Sequence, residues 1–148
     1  MKILFVCTGN TCRSPMAEAI FNNLASKNNS EVSAFSRGTS VFMEEPVNRK
    51  AINALESMSI CGFEHFSKQI SEDDIKQADL VLAMTSSHKM VLKSAFPKYS
   101  SKIFTLVEKA CGKDKPVADP YGQDESVYML CAKEIEEAVK QLIKKYGF

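Results

Sequence analysis

No run of this chain reaches the roughly 20 consecutive apolar residues that a membrane-spanning helix requires, and the N-terminus starts a strand with no cleavable signal pattern. The expectation is a cytoplasmic protein without a membrane partner. Tryptophan is absent and histidine is scarce, with only His65 and His88. Neither lies near a cysteine pair, so no zinc or other metal is expected. The five cysteines, Cys7, Cys12, Cys61, Cys111 and Cys131, are odd in number and lack short paired spacing, which argues for reduced thiols and against a secreted disulfide framework. An excess of charge is also missing. Nineteen basic and eighteen acidic residues leave a net charge of +1, and there is no basic tail, so nucleic acid is not an expected partner. The chain lacks the Gly-rich spacing and the Lys-Ser or Lys-Thr pair of a nucleotide phosphate loop. No repeat, low-complexity segment or linker divides it. Its 148 residues, 45% hydrophobic, suffice for one buried core and argue against two domains, so residues 1–148 are expected to form one domain.

What is present is an alternation of short apolar strands with helical patterns. Strands are expected at Lys2 to Cys7, Val32 to Ser36, Asp79 to Met84 and Lys102 to Thr105, each apolar enough to be covered on both faces. Met16, Ala17, Ile20, Phe21 and Leu24 mark one helix face, and Val47, Ala51, Ala54, Leu55 and Met58 a second. Shorter helices are expected near Asp73 to Gln77 and His88 to Ala95. A long closing helix starts near Asp124, where apolar residues recur at three- and four-residue steps up to Ile143. Strands separated by helices imply right-handed crossovers and an α/β fold: a Rossmann-like three-layer sandwich around a central four-stranded parallel sheet.

The segment Cys7-Thr8-Gly9-Asn10-Thr11-Cys12-Arg13-Ser14 sits where the first strand gives way to the first helix. Backbone N–H groups of residues 8 to 13 can converge there into an anion cradle at a helix N-terminus. The same groups and the Arg13 guanidinium favour a thiolate at Cys7, which makes it a candidate nucleophile. Arg13 can also hold two phosphate oxygens in a planar fork. Gly9 and Asn10 suit left-handed backbone angles. Ser14 is expected to cap the helix, with Pro15 at its first position. A thiolate attacking phosphorus needs an acid for the leaving group, and Asp119-Pro120-Tyr121-Gly122 supplies a candidate. Pro120 holds Asp119 extended, Gly122 permits a turn, and Tyr121 can wall the substrate pocket.

Val-Cys-Thr-Gly-Asn-Thr-Cys-Arg-Ser-Pro at 6–15, with Ala-Asp-Pro-Tyr at 118–121, resembles the low-molecular-weight protein tyrosine phosphatase family of bacterial type, and the loop is closest to its protein arginine phosphatase branch. The resemblance spans essentially the whole chain. It implies a two-step, metal- and cofactor-independent hydrolysis of phosphorylated proteins that releases inorganic phosphate, by a monomer or weak dimer. Cys7 is then the nucleophile, Arg13 the phosphate and transition-state ligand, and Asp119 first acid and then base. The resemblance also implies that Asn10 holds the loop, that Ser14 donates to Cys7, and that Ser36 and His65 belong to the supporting network. It further implies that Cys12 captures an oxidised Cys7 as a reversible disulfide.

Thr11 bears on the substrate, since tyrosine phosphatases of the family often carry a bulky aliphatic residue there. A hydroxyl suits the polar surroundings of a guanidinium, whereas an aliphatic side chain suits a phenyl ring. Tyr121 can stack on either. Phosphoarginine is therefore placed ahead of phosphotyrosine, with a strict tyrosine phosphatase as the alternative. Two departures from the family pattern are Gly122, where many members have a second tyrosine, and Arg37, read as a solvated charge or an attractor of acidic segments. An arsenate reductase would need two further relay cysteines in a mobile segment, and Asp79 to Leu92 contains none. A phosphate-binding module without turnover would not need a nucleophile and an acid together.

Overall fold

Strand alternation divides the core in two. In the computed structural model, which describes residues 1–148, β1 (Lys2–Cys7) sends Ile3, Phe5 and Cys7 to one face of a sheet and Leu4 and Val6 to the other, all buried. The remaining elements are α1 (Arg13–Lys27), β2 (Ser33–Gly38), α2 (Arg49–Ser57), α3 (Glu72–Gln77), β3 (Leu80–Ala83), α4 (Ser86–Ala95), β4 (Ile103–Thr105), α5 (Leu106–Cys111) and α6 (Glu125–Tyr146). A 3-10 turn over Pro97–Lys102 leads into β4.

The four strands are parallel, in the order β2-β1-β3-β4. Helices α1, α2, α5 and α6 cover the Phe5 face through residues such as Met16, Leu55, Leu106 and Leu142. Helices α3 and α4 cover the Leu4 face through Ile75 and Leu92. The chain leaves β1 toward one face and β3 toward the other, so the carboxyl ends of these neighbours open a crevice. Open parallel sheets bind their ligands at such a point.

The strands and the five expected helices form, with ends shifted by a few residues. Helix α5 was not expected, being six residues long with little room for periodicity. Its signal is Thr105-Leu106-Val107-Glu108, a capping box in which the Thr105 hydroxyl accepts from Glu108 N and the Glu108 carboxylate from Thr105 N. Helix α1 also starts differently from expectation. It begins at Arg13, no side chain caps it, and Pro15 is its third residue. The Ser14 hydroxyl is turned toward Cys7, as the family resemblance implies, and not toward the helix cap.

Candidate active site

The loop from Cys7 to Arg13 turns at the crevice, and one residue organises its interior. Asn10 is fully buried with φ 57°, the left-handed conformation that asparagine tolerates better than most residues. Gly9 does not adopt a positive φ, contrary to the sequence expectation, because Asn10 alone makes the turn. The Asn10 Nδ2 donates to Ser14 Oγ at 2.8 Å and to Ser36 Oγ at 3.0 Å. Its Oδ1 accepts from Lys68 N at 3.0 Å, which fixes the amide orientation, and lies 2.9 Å from His65 Nε2. An amide oxygen only accepts, so His65 carries its proton on Nε2.

Behind this network lies Glu18, its Oε2 3.6 Å from His65 Nδ1. Burial raises the Glu18 carboxyl to about 7, against the opposing pull of Ser36 hydrogen bonds and Arg37. Burial, aided by Arg37, lowers His65. Arg37 is neither a solvated charge nor part of the cavity. Its Nε donates to Asp74 Oδ2 at 3.1 Å, and its guanidinium lies 5.2 Å from the centre of the Phe35 ring.

Cys7 is buried at the carboxyl end of β1, with its Sγ 2.9 Å from Ser14 Oγ. Asn10 fills one Ser14 lone pair, which leaves the Ser14 proton for the sulfur or for Arg37 O at 3.4 Å. The sulfur is nearer, and a thiolate is the stronger acceptor. The segment after β2 holds the loop from outside: Thr39 N donates to Cys7 O at 2.9 Å, Ser40 N to Thr8 O at 3.0 Å and Asn48 N to Thr11 O at 2.9 Å. Gly38 permits this approach. A Cβ at Gly38 would lie 2.6 Å from Thr8 O and 3.0 Å from the Asn10 Cβ.

Arg13 is buried and reaches the Asp119 turn. Its Nη1 donates to Val117 O at 3.1 Å, and its Nη2 lies 3.6 Å from Asp119 Oδ2. Val117 N in turn donates to Met84 O, which ties the Asp119 segment to the end of β3. Asp119 is half exposed, and its Oδ1 accepts from Tyr121 N at 3.1 Å in a turn that Gly122 closes with φ 79°. Tyr121 is 70% exposed at the mouth. A cavity of about 280 Å³ lies between the two segments, lined by Cys7, Thr8, Thr11, Arg13, Asp119 and Tyr121, with Phe42 and Met43 at its edge.

Cys12 lines the same cavity, with its Sγ 3.4 Å from the buried Tyr128 hydroxyl, and burial pushes its thiol up. Cys61 and Cys111 are exposed and do not line the cavity. Cys131 is buried on α6, where its thiol is pushed up to about 12, unsuited to relaying a disulfide at neutral pH. Two residues near the loop escaped the sequence reading. Gly38 has no local signal. His88 sits at the start of α4, 80 positions from Thr8, yet its Nε2 lies 2.7 Å from Thr8 Oγ1.

A four-stranded parallel sheet with a cysteine-arginine loop at its switch point, faced by an aspartate turn, defines an α/β cysteine phosphatase. The chain belongs to the low molecular weight phosphotyrosine protein phosphatase family, which it matches over residues 2–147. It is 41% identical to a protein-arginine-phosphatase of Bacillus subtilis, covering 98% of this chain and 96% of that one. It is 35% identical to the low molecular weight protein-tyrosine-phosphatase PtpB of Staphylococcus aureus, covering 96% of each. Among solved structures it superposes on a YwlE mutant from Bacillus subtilis with a TM-score of 0.96 at 39% identity, covering 100% of this chain and 99% of that one. A second YwlE arginine phosphatase mutant, with a phosphorylated active-site serine, gives 0.94 at 39% identity, covering 99% and 96%.

Proposed function

We propose that residues 1–148 form one phosphatase domain that hydrolyses phosphoarginine on proteins, acting in the cytoplasm as a monomer or weak dimer without metal, cofactor or nucleic acid. The observation that carries this reading is a single cavity lined by the Cys7 sulfur, the Arg13 guanidinium, the Asp119 carboxyl and the Thr11 side chain. The Cys7 thiolate attacks phosphorus as the bond to the leaving nitrogen breaks, and Asp119 gives that nitrogen its proton, leaving a cysteinyl phosphate and an unmodified arginine side chain on the substrate protein. Water then attacks the phosphorus and passes a proton to Asp119. Inorganic phosphate departs and Cys7 is regenerated as thiolate. Arg13 and the N–H groups of Thr8, Gly9, Asn10, Thr11, Cys12 and Arg13 stabilise the equatorial oxygens in both steps, where electrostatic preorganisation does most.

The substrate assignment rests on Thr11, whose hydroxyl touches nothing stronger than the Cys12 sulfur at 3.8 Å and so remains available to the pocket. Similarity to the Bacillus subtilis protein-arginine-phosphatase supports it. A second reading, phosphotyrosine hydrolysis by the same steps with a phenolate oxygen leaving, is supported by similarity to the Staphylococcus aureus tyrosine phosphatase, and the exposed Tyr121 ring at the mouth can stack on either substrate.

The test is kcat/KM on matched phosphoarginine and phosphotyrosine peptides, with Cys7→Ser as the blank and Thr11→Ile as the selectivity probe. A phosphoarginine preference that Thr11→Ile reverses supports the first reading. A phosphotyrosine preference insensitive to Thr11→Ile supports the second. Asp119→Asn should lower kcat by about 10²- to 10⁴-fold, the range for removing a general acid, with the larger loss on the poorer leaving group.

A further inference from the structure

Helix α4 begins on the far side of the crevice from the Cys7 loop, and His88 bridges the gap. The residue is 8% exposed. Its Nε2 lies 2.7 Å from Thr8 Oγ1, and its Nδ1 lies 2.9 Å from Thr85 Oγ1, the N-cap of α4. Burial and the nearby Arg13 guanidinium push the imidazole down to about 4, against the smaller opposing effect of Asp119. At neutral pH the ring therefore has one donor and one acceptor. In the tautomer that donates Nδ1–H to Thr85 Oγ1, which also accepts His88 N at 3.3 Å, the Nε2 lone pair takes the Thr8 proton. The two lone pairs of Thr8 Oγ1 are then free, and Thr8 is an exposed residue lining the cavity beside Cys7.

We infer that His88 is a positioning residue that acts through Thr8, holding the Thr8 hydroxyl as a fixed acceptor for the guanidinium N–H groups of a phosphoarginine substrate and so favouring that substrate over phosphotyrosine. The inference rests on the phosphoarginine reading above. A guanidinium brings several N–H donors to such an acceptor, whereas a phenyl ester brings none and leaves it unpaired. The brace crosses the switch point, joining the loop after β1 to the helix after β3. Because the ring is neutral, it orients Thr8 without adding a cation beside Asp119.

The test is kcat/KM for phosphoarginine and phosphotyrosine peptides of one sequence, with wild type, Thr8→Val, His88→Ala and the double variant, each checked by thermal unfolding. Each single change should lower the phosphoarginine-to-phosphotyrosine ratio by about tenfold, as expected for one lost hydrogen bond to a polar substrate. The loss should fall mainly on KM for phosphoarginine, and the double variant should be no worse than the poorer single one. Thr8→Val is nearly isosteric at an exposed position and tests the pair even if His88→Ala does not fold. In the nitrogen spectrum of the wild-type imidazole at neutral pH, the proton should reside on Nδ1. An unchanged ratio in Thr8→Val, multiplying losses in the double variant, or a proton on Nε2 would each overturn the inference. A wild type that turns over phosphotyrosine but no phosphoarginine overturns the substrate reading itself, and this inference with it. A wild-type phosphoarginine preference untouched by either change sinks only the role of His88.

Discussion

The Ser14 hydroxyl lies 2.9 Å from the Cys7 sulfur and is held there by Asn10, whose amide fills the other side of the same oxygen at 2.8 Å. A hydrogen bond to a charged sulfur is stronger than one to a neutral thiol, so this contact favours the reactive form of Cys7. Ser14→Ala should lower kcat by about 10- to 100-fold with little change in KM, since one charge-assisted hydrogen bond is worth about 1.5–3 kcal/mol. Steady-state kinetics would show this, and an unchanged kcat would separate Ser14 from the reacting sulfur.

Gly38 lies where β2 meets the Cys7 loop, and its role is spatial. An added methyl group would stand 2.5 Å from the Val41 side chain and 2.6 Å from the backbone oxygen of Thr8. The loop must move to admit it. Gly38→Ala should cost about 1–3 kcal/mol in stability by overpacking and should depress kcat/KM on every substrate alike. Chemical denaturation beside kinetics on both phosphopeptides would check both parts.

Glu18 and His88 give opposite slopes to stability between about pH 4 and 7. Burial raises the Glu18 carboxyl from its ordinary 4.5 to about 7, so the native state binds more protons there and stability falls as pH rises through that window. His88 is lowered from 6.5 to about 4, so the unfolded state binds more protons and stability falls as pH drops below about 6.5. Each group accounts for roughly 3 kcal/mol at most, and the lowered His65 adds to the His88 slope. Denaturant midpoints should therefore vary weakly with pH in wild type. Glu18→Gln should expose a steep loss toward acid, and His88→Asn a loss toward neutrality.

Cys12 is proposed as the redox partner of Cys7, both lying in one seven-residue loop. Peroxide oxidises the Cys7 thiolate to a sulfenic acid, and the Cys12 sulfur attacks the Cys7 sulfur, expelling the sulfenic hydroxyl as water and forming a disulfide that a dithiol then reduces. Activity lost to peroxide should return with dithiothreitol in wild type and should return far less in Cys12→Ser. Equal recovery would remove Cys12 from this role.

The chemistry proposed for this protein rests on short-range pattern. Cys7, Arg13 and Ser14 stand at fixed spacing behind an apolar strand, and Asp119 precedes a proline turn, so their placement follows from local backbone geometry. The parallel sheet was legible for the same reason, because β1 and β3 are continuous apolar runs and the helices between them carry three- and four-residue periodicity. Helix α5 went unread since six residues hold too little periodicity, although its capping box was in view.

What tertiary structure alone decided is how distant segments meet at the switch point. The sequence placed left-handed angles at both Gly9 and Asn10, but the four hydrogen bonds to the Asn10 side chain, from groups as far away as Lys68, put that turn on Asn10 alone. The local pattern put the Ser14 hydroxyl at the helix cap, its bond to the sulfur being implied by the family resemblance alone, and nothing near Arg37 pointed to Asp74. His88 became part of the site only because β3 lies beside β1, which brings two residues 80 positions apart within 2.7 Å. Motif spacing nominates the atoms proposed to react. The packing of one strand against another specifies what surrounds them, since a hydrogen bond across a sheet depends on register and strand order that no local pattern contains.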